Sequence, residues 1–231
     1  MDATDQVPLV TVDGPSGSGK GTISRILARR LGWHLLDSGA LYRLVALAGA
    51  QRGLAPEDEP AHAAVAGGLD AVFEADAAGN EHVLLDGRDV TLDLRAETTG
   101  SAASRVAAMP AVRVALLDRQ RAFARLPGLV ADGRDMGTVV FPAAQLKVFL
   151  TATAEERASR RYKQLKEKGL TANLADLSQE IRERDRRDSN RPVAPLRAAP
   201  GAVTIDSTEL SVEQVVARIL ALAVERIPAL K

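Results

Sequence analysis

Nine consecutive residues, Gly14-Pro15-Ser16-Gly17-Ser18-Gly19-Lys20-Gly21-Thr22, have the types and spacing to hold phosphate. Glycines let the backbone bend until successive N–H groups point inward at phosphate oxygens. The N-terminus of a following helix adds the positive end of its dipole, and Lys20 adds a full charge. A β-branched run, Val7 to Val12, precedes the loop, and an amphipathic stretch, Ile23 to Leu31, follows it. A tight turn that merely contained Gly and Lys would need neither flank, so a nucleoside triphosphate is the expected ligand. One position departs from the common pattern: Gly21 stands where Ser or Thr usually ligates Mg²⁺, and Thr22 comes one place later. A mainly water-coordinated Mg²⁺ is therefore expected near Thr22 and Asp132, with Asp13 as the alternative carboxylate.

Three further clusters can meet anions. Asp37-Ser38-Gly39-Ala40-Leu41-Tyr42-Arg43 follows the second apolar run and reads as a polar loop at the carboxyl end of a strand. Such a loop faces the ligand crevice of a parallel sheet, which turns Ser38 and Arg43 toward an acceptor substrate. Asp132-Gly133-Arg134-Asp135-Met136-Gly137 closes another apolar run. Its charged residues cannot all be buried without partners, so they are expected to line a polar cleft rather than a simple salt-bridged turn. The third cluster lies between Arg157 and Arg191. There Arg157 and Arg161 share one helix face with Arg160 beside them, and Arg184-Asp185-Arg186-Arg187-Asp188-Ser189-Asn190-Arg191 mixes guanidinium forks with carboxylates. A solvated charged helix is the ordinary meaning of such a run. Beside a phosphate-binding loop, the forks match phosphoryl oxygens and can stabilise the charge of a transferring phosphoryl group.

The elements that must position these residues are short apolar strands alternating with helices. Strands are expected at Val7 to Val12, Trp33 to Leu36, Gly128 to Ala131, Leu146 to Leu150 and Ala202 to Ile205. Helices are expected at Ile23 to Leu31, Val112 to Phe123, Ala154 to Lys168 and Val212 to Val224. The alternation implies an α/β fold, a P-loop NTPase-type parallel sheet flanked by helices. Leu69 to Phe73 and His82 to Leu85, joined through Ala77-Ala78-Gly79-Asn80, read as a hairpin, followed by the turn Asp86-Gly87-Arg88 and another extended piece. One unit is expected, with its core at about 7–40, 112–156 and 193–231, a small α+β insertion at about 41–111, and a mobile, charged helical lid at about 157–192.

The chain has 231 residues, 46% of them hydrophobic, enough to bury a sizeable core. Lys+Arg and Asp+Glu balance at 30 each, so no global field draws it to nucleic acid or an anionic membrane. Absence of cysteine removes disulfides and thiolate metal sites and suits a reducing compartment. The first six residues are short and acidic, unlike a secretory leader, and no apolar run approaches the ~20 residues of a membrane helix. A cytoplasmic protein is expected.

Taken together, these residues resemble the bacterial cytidylate kinases, a family of nucleoside monophosphate kinases. The carrying stretches are Asp13 to Thr22, Trp33 to Arg43, Ala102 to Ala108, Ala131 to Pro142 and Asp185 to Leu196, which span nearly the whole chain in family order. The resemblance implies ATP with Mg²⁺ as donor, CMP or dCMP as acceptor, and a place in pyrimidine nucleotide metabolism. It implies that Lys20 and the loop amides hold the donor phosphates and that Arg43, Arg134 and Arg191 clamp the acceptor phosphate. Ser104, Arg113 and Asp135 match the base-reading positions, and Arg184 and Asp188 those at the ribose; Ser38, Tyr42 and Asp132 join the substrate set. Arg157 and Arg161 match the lid arginines, one near the donor adenine and one on the phosphates. The insertion around 65–95 resembles the enlarged monophosphate-binding region of the bacterial enzymes. Small-molecule nucleotides are the implied partners, with no nucleic acid and no membrane, and a monomer is expected.

The chemistry is coherent with that assignment. Phosphoryl transfer asks a protein to align two anionic substrates and neutralise equatorial charge, so it needs Lys, Arg and Mg²⁺ more than a strong base. Cytosine offers an exocyclic amine that donates and ring N3 and O2 that accept, which suits Asp135 and Arg113 respectively. Uracil would set its O4 against the carboxylate. Two rivals remain at this level: a P-loop kinase of another small molecule, which has no use for the base-reading set, and a nucleotide switch or nucleic-acid-dependent ATPase. The latter calls for a basic face or a guanine-reading Asn-Lys-x-Asp motif, and the sequence has neither.

Overall fold

A computed structural model describes residues 7–75, 81–167, 169 and 171–230. In chain order the elements begin with β1 (Leu9–Asp13), α1 (Lys20–Leu31), β2 (His34–Asp37), α2 (Ser38–Gln51) and α3 (Glu59–Gly67). There follow β3 (Ala71–Ala75), β4 (Glu81–Leu85), β5 (Arg88–Asp89), α4 (Thr91–Arg95), α5 (Glu97–Val106) and α6 (Pro110–Arg121). The chain continues through β6 (Leu129–Gly133), a π-helical turn (Met136–Val140), β7 (Leu146–Thr151), α7 (Ala154–Glu167), α8 (Leu174–Ser189), β8 (Val203–Asp206) and α9 (Val212–Arg226). They divide into two compact units, residues 1–37 with 121–231, and residues 38–120.

The first unit is a five-stranded sheet in the order β2-β6-β1-β7-β8, with every neighbouring pair parallel. Its central strands β1 and β6 are buried at every position, which is why both read as continuous apolar runs. Toward the edge the pattern changes, and β7 alternates buried with half-buried residues. One core joins Val10 and Val12 of β1 to Ile23 and Leu27 of α1, and to Val215, Val216, Ile219 and Ala223 of α9. The capping box at the start of α9, Ser211 with Gln214, fixes where that helix begins.

The second unit packs α2 against α3 and α5 and carries a three-stranded antiparallel sheet, β3-β4-β5. The hairpin expected from Leu69 runs instead from Ala71, with Ala71 opposite Leu85 and Ala75 opposite Glu81; the connecting residues 77–80 lie outside the described ones. Asp86 and Gly87 both take positive φ, 49° and 74°, as a tight two-residue turn between β4 and β5 requires. The segment after β2 differs from expectation. It is no loop: α2 begins at Ser38 without a break. The Ser and Gly suggested a turn, but Leu41, Leu44, Val45 and Ala48 recur at helical spacing and are buried, and that apolar stripe decides the conformation.

Candidate active site

The glycine-rich loop leaves β1 after Asp13 and ends in α1. Gly17 and Gly19 sit at φ 77° and 87°, a region that side-chain-bearing residues rarely occupy, so the bend depends on these two glycines. Gly19 caps α1, whose first turn holds no acidic residue to compete for an anion. Lys20 is almost completely buried and its ammonium donates to the Pro15 carbonyl at 3.2 Å, curled over the loop. Burial, aided by the charge of Arg134, lowers its pKa, and the Asp132 carboxylate opposes that shift.

Adjacent strands deliver the next residues. In the β1–β6 register Asp13 lies beside Gly133, so the loop starting at Gly14 and the Arg134-Asp135 pair leave neighbouring strands at the same height. Each oxygen of the Asp13 carboxylate accepts a backbone N–H at 2.8 Å, one from Met136 and the other from Gly137. Burial pushes the Asp13 carboxyl up to about 6 despite those bonds. One amide on each oxygen fixes the Asp13 carboxylate to the turn after β6 and leaves each oxygen a further lone pair. Asp132 also suits a divalent ion: it is buried at the end of β6, burial raises its pKa, and the Lys20 cation opposes the rise, as a divalent ion there would. Gly21 makes room for it. A Cβ at that position would stand 3.3 Å from Asp132 Oδ2, so the residue where a hydroxyl is common here is shaped around a carboxylate.

Charged side chains from α8 close on the end of β6. Arg134 Nε donates to Asp188 Oδ2 at 3.1 Å, and its Nη1 donates to the Gly133 carbonyl at 3.3 Å. Burial alone would raise the Asp188 pKa, but Arg134, Arg191 and Arg184 together hold its carboxyl below the usual range. Arg191 is buried and donates to the Ala194 carbonyl at 2.8 Å. Asp135 is buried as well, and its backbone carbonyl accepts the amides of Val139 and Val140, opening the π-helical turn.

From α7, Arg157 reaches the loop from its carbonyl side. Nε donates to Ala152 O at 3.0 Å, Nη1 to Ser16 O at 3.0 Å and to Asp185 Oδ1 at 2.9 Å, and Nη2 to Asp185 Oδ2 at 2.5 Å. Arg161, half-buried, lies one turn on. Three residues outside the expected site also belong to this surround. Arg160 donates to the carbonyls of Ser18 and Ser207, Ser207 Oγ lies 3.0 Å from Thr151 O and 3.3 Å from Ser18 O, and Asp185 receives Arg157. Ser207 follows the apolar run of β8, and position at the carboxyl end of a parallel strand was a usable cue for it.

The second unit holds the rest of the expected residues. Arg43 Nη1 donates to Leu94 O at 2.6 Å and Ala96 O at 3.2 Å, and Gly100 leaves room for its guanidinium, since a Cβ there would lie 2.8 Å from Nη2. The Arg113 guanidinium stands 5.7 Å over the Tyr42 ring and donates to Ala107 O at 3.1 Å. Ser38 and Ser104 are buried on α2 and α5. The expected base readers are thus divided, with Ser104 and Arg113 in this unit and Asp135 in the other.

The model of one protein family, described as cytidylate kinase, matches residues 10–225. A cytidylate kinase of Methylococcus capsulatus is 59% identical over 212 residues, covering 92% of this chain and 95% of its own. One from Colwellia psychrerythraea is 56% identical over 219 residues, with 95% and 97% covered. One from Pseudomonas syringae pv. syringae is 60% identical over 216 residues, with 93% and 94% covered. An identity that high over more than nine-tenths of both chains is a family relationship, and the chain belongs to the cytidylate kinase family.

Proposed function

We propose that this chain performs the transfer of the γ-phosphoryl group of ATP to CMP or dCMP through a division of labour among the residues above. An acceptor phosphate oxygen attacks the γ-phosphorus, the bond to the β-phosphate oxygen breaks, and ADP leaves with CDP or dCDP as the other product. The loop amides between Gly14 and Thr22 and Lys20 hold the donor phosphates, with Arg157 and Arg161 as lid arginines, one near the donor adenine and one on the phosphates. Arg43, Arg134 and Arg191 clamp the acceptor phosphate, Arg184 and Asp188 hold the ribose, and Ser104, Arg113 and Asp135 read the base. Ser38 and Tyr42 complete the acceptor surroundings. Asp132 is a residue suited to hold Mg²⁺ through its water shell, and the ion would neutralise charge on the donor oxygens. No side chain acts as nucleophile; the protein's contribution is alignment and charge. The same reading has the chain act on small molecules, as a monomer in the cytoplasm. Among the described residues, no helix is long and apolar enough to cross a membrane.

The observation that carries this reading is the β1–β6 register, which starts the donor loop and the acceptor arginine from adjacent strands at one height. An assay of ADP formation from ATP with CMP, dCMP, UMP, AMP and GMP tests it. Turnover is expected with CMP and dCMP; turnover confined to a purine monophosphate would overturn the assignment.

A further inference from the structure

A phosphate loop that turns its amides inward leaves its carbonyls facing the protein, where each buried one needs a donor. Here those donors come mainly from α7 and the end of β8. Ser18 O receives Arg160 Nη1 at 3.4 Å and lies 3.3 Å from Ser207 Oγ, whose single proton it shares with Thr151 O at 3.0 Å. Ser16 O receives Arg157 Nη1 at 3.0 Å, and Gly17 allows the approach, since a Cβ there would stand 3.2 Å from that of Arg157. Of these contacts, the one through Arg157 extends to α8. Its guanidinium makes a two-pronged pair with Asp185, at 2.9 and 2.5 Å, and the two side chains are 5% and 27% exposed. That shielding and geometry set it apart from the Arg182–Glu155 pair on the same two helices, whose side chains are 64% and 65% exposed. Asp185 precedes Asp188 by three residues, so both project from one side of α8, and Asp188 holds Arg134 at the acceptor end. One helix face therefore reaches the loop at Asp185, through Arg157, and holds Arg134 at Asp188.

We propose that Asp185 is a positioning residue: through Arg157 it ties the Ser16 carbonyl to α8, so that a nucleotide in the loop sets the helix face that meets the acceptor. This rests on the assignment of loop and clamp to donor and acceptor given above. The consequence is coupling. Filling the loop with a non-hydrolysable ATP analogue tightens CMP binding, by about tenfold on the usual scale of such linkage.

Calorimetric titration of CMP, with and without that analogue, tests the proposal in the unaltered protein and in Asp185→Asn, Asp185→Glu and Ser207→Ala. Asp185→Asn keeps the shape but loses the charge, and it should bind each ligand alone nearly as before while losing the tightening. Asp185→Glu should recover part of it. Ser207→Ala, which removes a hydroxyl set among Ser18 O, Thr151 O and Arg160 without touching α8, should weaken the analogue and keep the tightening. Full coupling in Asp185→Asn, or equal loss in Asp185→Asn and Ser207→Ala, would overturn the proposal alone. An unaltered protein that binds no CMP would overturn the functional assignment and the proposal with it. Melting temperatures of the variants separate a local effect from unfolding.

Discussion

The phosphate loop and the α7–α8 pair both meet anions, and they are built in opposite ways. The loop hangs between a strand buried at every position and a helix anchored by Ile23 and Leu27, with its shape set by left-handed glycines and a fixed strand register. In contrast, α7 and α8 bury few side chains, Arg157 and Ala158 on one and Leu177 and Asp188 on the other. Two shielded ion pairs tie them in place, Arg157 with Asp185 and Arg134 with Asp188, while Arg182 with Glu155 is exposed to solvent. Apolar packing and backbone geometry do not compete with a substrate, whereas ion pairs can exchange partners with a phosphate. The donor platform is thus expected to be complete before substrate arrives, and the charged helices to take their final order from it.

Perturbing the platform should cost the most. On the proposed role, Lys20→Ala would remove a charge that follows the migrating phosphoryl group, at a cost of about 4 kcal/mol in the transition state, or about a thousandfold in kcat. The fold should survive, as circular dichroism would check, and turnover within tenfold of the parent would break the loop's assigned role. Asp135→Ala should lower kcat/KM for CMP about a hundredfold and narrow the preference for CMP over UMP, because both the bond to the amine and the repulsion of O4 disappear. Equal losses on the two substrates would make Asp135 an organiser of the Arg134 turn and leave base reading to Ser104 and Arg113.

A subtler change separates shape from stability on the platform itself. Gly21→Ala should favour helix α1 by about 0.5–1 kcal/mol. The added Cβ stands 3.3 Å from Asp132 Oδ2 and must move that carboxylate. We expect an unchanged or higher melting temperature together with a loss of about tenfold in kcat/KM for ATP. A fully active variant would mean that the Asp132 position is not critical.

The parts of the fold that sequence reasoning reached are those in which burial leaves a pattern. The central strands read as apolar runs because both their faces are covered, and α1 and α9 as amphipathic stripes because one face is. The turn after β6 was out of reach, since the carboxylate that holds the amides of Met136 and Gly137 is Asp13, 123 and 124 positions earlier. In the site, motif chemistry and family resemblance named the residues proposed to face phosphate. Sequence reasoning only located the braces behind the loop, Arg160 and Asp185 in the charged cluster and Ser207 at a strand end; their contacts are to backbone carbonyls or another arginine, which residue type does not specify.

The contrast between the two regions is tested most directly by hydrogen exchange followed residue by residue with and without a bisubstrate analogue that spans the ATP and CMP sites. Amides of β1 and α1 should be slow in both states. Those of α7 and α8 should exchange quickly in the free protein and slow by about tenfold or more when the analogue binds. Equal protection of α7 and α8 in the two states would contradict the account, and so would a loop region that is protected only when the analogue is present.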